Sequence, residues 1–82
     1  MKVAISARPL KTLRRMPRDT AIRIRARIDA LARDPQAAKH DVVKLIGRPG
    51  YRLRVGDWRV IYDVDGDTLH VRVIAPRGDG YR

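Results

Sequence analysis

Three features of the chain predict an α+β fold in which an N-terminal strand and a helical hairpin pack on one face of an antiparallel sheet. Two tight-turn signals, Gly56-Asp57 and Asp65-Gly66, divide the last third of the sequence into three strands. Upstream, Ile24, Ile28 and Leu31 recur at i, i+4 and i+7 and mark an amphipathic helix, with Ala21 on the same stripe. The order strand, helix, helix, strands then leaves the helices to cover the apolar face of the sheet.

From the N-terminus, Val3 and Ile5 alternate with their neighbours, so residues 2–6 read as a short strand. Ser6 is placed to cap a short helix whose apolar stripe is Leu10 and Leu13. Met16-Pro17 breaks that helix, and Pro17 suits the first turn of the next. The second helix carries Arg23, Arg25 and Arg27 away from its apolar stripe and stops at Asp34-Pro35. Residues 36–41 read as a loop, Val42 to Leu45 as a strand, and Gly47-Arg48-Pro49-Gly50 as a connector. The terminal segment from Pro76 is irregular. No repeat or linker divides the chain, and residues 1–82 are expected to form one domain.

Counting outward from the turns gives the strand register. Val55 faces Trp58, Arg54 faces Arg59, Leu53 faces Val60 and Tyr51 faces Tyr62. Across the second turn, Asp63 is expected opposite Thr68, Tyr62 opposite Leu69, Val60 opposite Val71 and Arg59 opposite Arg72. Side chains alternate faces along a strand. One face therefore collects Tyr51, Leu53, Val55, Trp58, Val60, Tyr62, Leu69, Val71 and Val73 as a core. The other collects Arg52, Arg54, Arg59, His70 and Arg72, with Ile61 and Ile74 among them. Like charges directly opposite one another destabilise a sheet, so a row of Arg54, Arg59 and Arg72 makes sense where a polyanion lies across it.

Composition agrees. The 82 residues carry a net charge of +10, with fifteen arginines against four lysines and nine aspartates without a glutamate. A domain this basic usually meets nucleic acid or an acidic protein, and arginine forms bidentate contacts with phosphate. Arginine-favouring codons are the bland alternative. The absence of cysteine excludes disulfides, thiolate metal sites and cysteine nucleophiles. No cofactor is expected, and the two histidines, His40 and His70, are too isolated to suggest zinc. There is no run of eighteen apolar residues and no leader-like N-terminus, so a soluble, cytoplasmic protein with no membrane partner is expected.

The run Lys44-Leu45-Ile46-Gly47-Arg48-Pro49-Gly50-Tyr51-Arg52-Leu53-Arg54-Val55-Gly56-Asp57-Trp58-Arg59-Val60-Ile61-Tyr62 resembles the RelE/ParE superfamily of bacterial toxins, and its RelE-like branch in particular. The likeness continues through the strand from Leu69 to Ile74 and the closing Arg77…Tyr81-Arg82. The resemblance implies a small α+β toxin of a type II toxin–antitoxin pair, bound by an acidic cognate antitoxin in a hetero-oligomer. It also implies metal-independent, ribosome-dependent cleavage of mRNA with the 2′-hydroxyl as nucleophile. Carried over residue by residue, Arg59, Arg77 and Tyr81 fall on catalytic positions, and Arg52 and Arg54 on basic positions of the first meander strand. Two departures stand out: no helix is expected to follow Tyr81, and no glutamate is present among the 82 residues to act as base.

Such cleavage needs a group to take the 2′-hydroxyl proton, a clamp for the charge on the phosphorane-like transition state, and help for the departing 5′-oxygen. Arginine stays protonated, so Arg59 suits the clamp. As a structural alternative, Arg59 pairs with Asp57 or Asp63 on the surface. Tyr81 has an ordinary pKa near about 10, which neighbouring cations would lower. It suits a base or a stacking platform. His70 is the one imidazole on the basic face; it is a leaving-group acid or a solvated strand residue. Arg52, Arg54, Arg72 and His70 are expected to hold RNA. Within the superfamily, the ParE-type alternative inhibits DNA gyrase and cuts nothing, and a catalytically silent RNA-binding module is a third reading.

Overall fold

Gly56 and Gly66, both at positive φ (58° and 59°), set the meander. Each is the first residue of a two-residue hairpin loop, where only glycine adopts that conformation at no steric cost. The computed structural model describes residues 1–78. Its elements are β1 (Lys2–Ile5), α1 (Ala7–Arg15), α2 (Arg18–Arg33), a 3₁₀ turn (Pro35–Ala38), β2 (Val42–Lys44), β3 (Tyr51–Val55), β4 (Trp58–Asp65) and β5 (Thr68–Pro76). They build a five-stranded sheet in the order β1-β5-β4-β3-β2. The meander and β2 are antiparallel as expected. β1 lies parallel to β5, with Ile5 beside Val71, so the sheet as a whole is mixed.

Local chemistry explains the helices. In α1, Pro9 sits in the first turn, where its missing N–H costs nothing, and Arg14 and Arg15 complement the carbonyl end. Ser6 is the N-cap residue, but its side chain makes no capping hydrogen bond. Met16 is extended before Pro17, as the proline ring requires. Asp19 complements the start of α2, and the Asp34 carboxylate accepts from the Gln36 N–H in the turn that follows. Ile24, Ile28, Leu31 and Ala32 are buried against Leu53, Val55, Val60, Tyr62, Leu69, Val71 and Ile74 of the sheet. This is the core, on the face the alternation predicts.

The β3–β4 register is the expected one, from Val55 opposite Trp58 to Tyr51 opposite Tyr62. The β4–β5 register is not. Asp65 stands opposite Thr68, Asp63 opposite His70 and Tyr62 opposite Val71. The turn is Gly66-Asp67 rather than Asp65-Gly66. A loop centred on Asp65-Gly66 would ask an aspartate to take positive φ, whereas Gly66-Asp67 asks it only of glycine, as Gly56-Asp57 does. A bulge then shifts the ladder between Ile61 and Tyr62, so that Arg72 is the extra residue. Beyond it Ile61 faces Val73, Val60 faces Ile74 and Arg59 faces Ala75. The bulge turns Ile74 into the core, at 5% exposure, and moves Val73 to the open face. Both placements reverse the sequence expectation, and Arg72 no longer shares a row with Arg59.

Candidate polyanion-binding face and partner groove

On the face away from the helices, the sheet presents three rows. Arg54, Arg59 and Ala75 form the row nearest the β3–β4 turn; Val43, Arg52, Ile61 and Val73 form the next. Beyond the bulge stand Asp63, His70 and Ala4. Residues directly opposite on neighbouring strands are about 4.5–5.5 Å apart at Cα, which brings the Arg54 and Arg59 stems side by side. The Arg77 N–H donates to the Asp57 carbonyl at 2.6 Å and extends the ladder by one step, placing Arg77 on the parity of Ala75 and Arg59. Ile61 is only 4% exposed although it lies outside the main core. Half-buried Arg52 stands directly opposite it, and arginine stems commonly cover apolar surface in this way.

Two carboxylates divide the arginines. Arg72 Nε donates to Asp63 Oδ2 at 2.7 Å and its Nη2 to Oδ1 at 3.2 Å, a bidentate fork across β4 and β5. Asp41, just before β2, accepts from Arg27 of α2 at 2.7 Å and from Arg54 at 3.4 Å. These guanidinium partners hold both carboxyls below the ordinary carboxylate value, the Arg72 hydrogen bond acting on Asp63 and chiefly the Arg27 hydrogen bond on Asp41. Among the described residues Arg52, Arg59 and Arg77 make no side-chain ion pair. The alternative that Asp57 or Asp63 neutralises Arg59 is therefore not realised there. Tyr81 lies outside the described residues. The expected set is thus split: Arg52, Arg54, Arg59 and Arg77 gather at the hairpin end, while Arg72 sits in the bulge and His70 past it. The two carboxylate clamps were not foreseen from sequence; the bulge that brings Arg72 to Asp63 has no local sequence signal. Among the described residues no three side chains with metal-ligating groups converge.

The helical side carries a second feature. Where α2 ends, an apolar groove of about 490 Å³ remains open over the sheet. Its floor is Tyr51 and Tyr62, stacked with ring centroids 5.4 Å apart and planes 20° from parallel. Leu31, Val42 and Val64 line it and Lys39 and Lys44 stand at its margin. Burial, with the Tyr51 hydroxyl adding to it, pushes the Tyr62 phenol up to about 12. The open arginine face and this groove lie on opposite sides of the sheet.

The family model for the ParE toxin of type II toxin–antitoxin systems matches residues 3–80, nearly the whole chain. The chain belongs to that toxin family. Solved structures similar to this ParE-family toxin are chains of toxin–antitoxin complexes. The intact Escherichia coli RelBE complex contains one with a TM-score of 0.74 and 18% identity, covering 95% of this chain and 96% of that one. The Mycobacterium tuberculosis RelBE2 complex gives 0.71 and 18%, covering 93% and 96%. The Methanococcus jannaschii RelB–RelE complex gives 0.62 and 26%, covering 89% and 88%. The RelE fold expected from the sequence is thus the fold of this toxin. No curated protein matches it in sequence. No helix among the described residues is long and apolar enough to cross a membrane.

Proposed function

We propose that this toxin is a metal-independent, ribosome-dependent mRNA endonuclease that blocks translation. The observation that carries the reading is Arg59, which stands mid-sheet opposite Arg54, with Arg52 and Arg77 diagonal to it, and has no ion pair among the described residues. An arginine without a carboxylate, among other arginines, raises the energy of the empty protein and is relieved by a phosphate. In this reading Arg59 clamps the equatorial oxygens as the 2′-oxygen attacks phosphorus and the bond to the 5′-oxygen breaks. Arg77 flanks that charge. Tyr81 takes the 2′-hydroxyl proton or stacks on a base, and the ribosome supplies orientation that the protein lacks. The cognate antitoxin is an acidic, amphipathic chain forming a hetero-oligomer with the toxin. Its apolar side suits the Tyr51–Tyr62 groove and its charge suits the lysines at the margin.

The test is induction of the chain in a reconstituted translation system, with breaks in the message mapped by primer extension and Arg59→Ala run alongside. Breaks at codons in the ribosomal A site, falling at least about 10²-fold with the variant, support the reading. Intact message sinks it. The second reading, favoured by the ParE description of the matching family, is gyrase inhibition without cleavage. A supercoiling assay then becomes decisive.

A further inference from the structure

Taking the open face as the RNA-binding face, as proposed above, the register also gives the direction in which the strand crosses it. Arg52 stands opposite Ile61, Arg59 lies on β4 itself, and Arg77 stands opposite Asp57. Measured along β4, the three positions are 61, 59 and 57, so each step moves one strand across and two residues along. They form a straight diagonal over β3, β4 and the end of β5. Diagonal neighbours on a sheet are about 7–8 Å apart, within reach of a long side chain. The three arginines on this line make no ion pair among the described residues. The two arginines off it, Arg54 and Arg72, are both held by carboxylates.

The two clamps differ. The Arg54–Asp41 contact is long at 3.4 Å and Arg54 is 67% exposed, so this pair is weak. The Arg72–Asp63 fork is bidentate with its shorter arm at 2.7 Å, and the bulge that places Arg72 beside Asp63 is built into the ladder. Asp63 also sets a negative charge on the open face where a strand running straight down the sheet toward His70 would have to pass.

We propose that a single-stranded phosphodiester backbone crosses the sheet along the diagonal Arg52–Arg59–Arg77, and that Asp63, by engaging Arg72, closes the other end of the face to phosphate. Asp63 is a positioning residue in this scheme; it touches Arg72 and not the RNA.

The measurement is the salt dependence of binding of a fluorescent oligouridine to the full chain between about 50 and 200 mM salt, where each phosphate contact on a single strand contributes about 0.7 to the log–log slope. Arg52→Gln and Arg77→Gln should each flatten the slope by about 0.7. Arg72→Gln should leave it unchanged. Asp63→Asn should steepen it by about 0.7, and the Asp63→Asn/Arg72→Gln double variant should restore the starting value, which a merely structural role for Asp63 would not do. If Arg72→Gln flattens the slope as Arg52→Gln does, or if Asp63→Asn leaves it unmoved, the proposal is overturned. The same titrations with inorganic polyphosphate separate the two levels of the argument. Polyphosphate binding with this residue pattern but no oligouridine binding keeps the diagonal and removes RNA as its target. Binding of neither overturns both.

Discussion

Arg54 and Arg59 stand directly opposite each other on β3 and β4, and of the two only Arg54 reaches a carboxylate among the described residues, Asp41 at 3.4 Å. A sheet gains from opposite or apolar cross-strand pairs and loses from like charges in register. The Gly66-Asp67 turn relieves the second such clash by carrying Arg72 out of register with Arg59, and the bulge then sets Ala75 opposite Arg59. The Arg54–Arg59 pair is left unrelieved.

The fold should therefore gain from losing Arg59. Arg59→Thr replaces a repelled cation with a residue suited to strands, and should stabilise the chain by about 0.2–1 kcal/mol. That is a rise of a few degrees in Tm for a domain of this size. The same variant should be inactive in the cleavage assay. A drop in Tm would mean that packing of the half-buried Arg59 stem contributes more than its charge costs.

Gly50 closes the connector before β3 at φ +109°, and a Cβ built there would lie 2.7 Å from the Tyr62 carbonyl oxygen. Neither the backbone conformation nor the space suits alanine. Gly50→Ala should cost about 1–3 kcal/mol, seen as an earlier midpoint in urea with unchanged slope. Gly47, also at positive φ but with open space around it, should show only the conformational part of that cost when substituted.

What could be read from residues alone follows the range of the interactions. The helices, the core stripe Ile24, Ile28 and Leu31, and the β3–β4 pairing are set by local spacing and one glycine turn, and they stand as expected. The β4–β5 pairing depends on which of two overlapping dipeptides turns and on a bulge with no sequence mark. Val73 and Ile74 are both good strand residues, and only the packing against α1 and the core decides which goes inward. The arginine face was legible as a face because alternation survives a register shift of two. Its partition by Asp41 and Asp63 was not, since both clamps join residues whose proximity the tertiary fold creates.

Stability should fall at both ends of the pH scale for separate reasons. Asp41 and Asp63 have folded values below the ordinary 3.8, so their contribution is present above that value and is lost as pH falls through the lower folded ones. Asp63→Asn should flatten this acid limb and leave neutral stability little changed, because the pair is exposed. Tyr62 runs the other way. Its folded value is raised from 10 to about 12, so its contribution is complete below 10 and disappears as pH rises toward 12. Tyr62→Phe should abolish the alkaline limb in denaturant midpoints taken across that window. An alkaline limb that survives the substitution would assign it elsewhere.

Under the function proposed above, the antitoxin anchors in the Tyr51–Tyr62 groove, and a change there separates anchoring from cover of the arginines. Val64 lines it and is 43% exposed in the free toxin, so a polar residue there should leave the Tm within a degree or two. Val64→Asp removes apolar contact area and, against the acidic antitoxin proposed above, sets like charges together. With about 1.5–3 kcal/mol for full burial of such a side chain and 1.4 kcal/mol per tenfold in affinity, the toxin–antitoxin Kd should weaken about tenfold or more. Calorimetric titration with the cognate antitoxin reads this directly. Oligouridine binding on the opposite side of the sheet should be untouched by the same change. If Val64→Asp leaves the Kd where it was, the antitoxin is held by the open face alone, and it then competes with RNA for Arg52, Arg59 and Arg77.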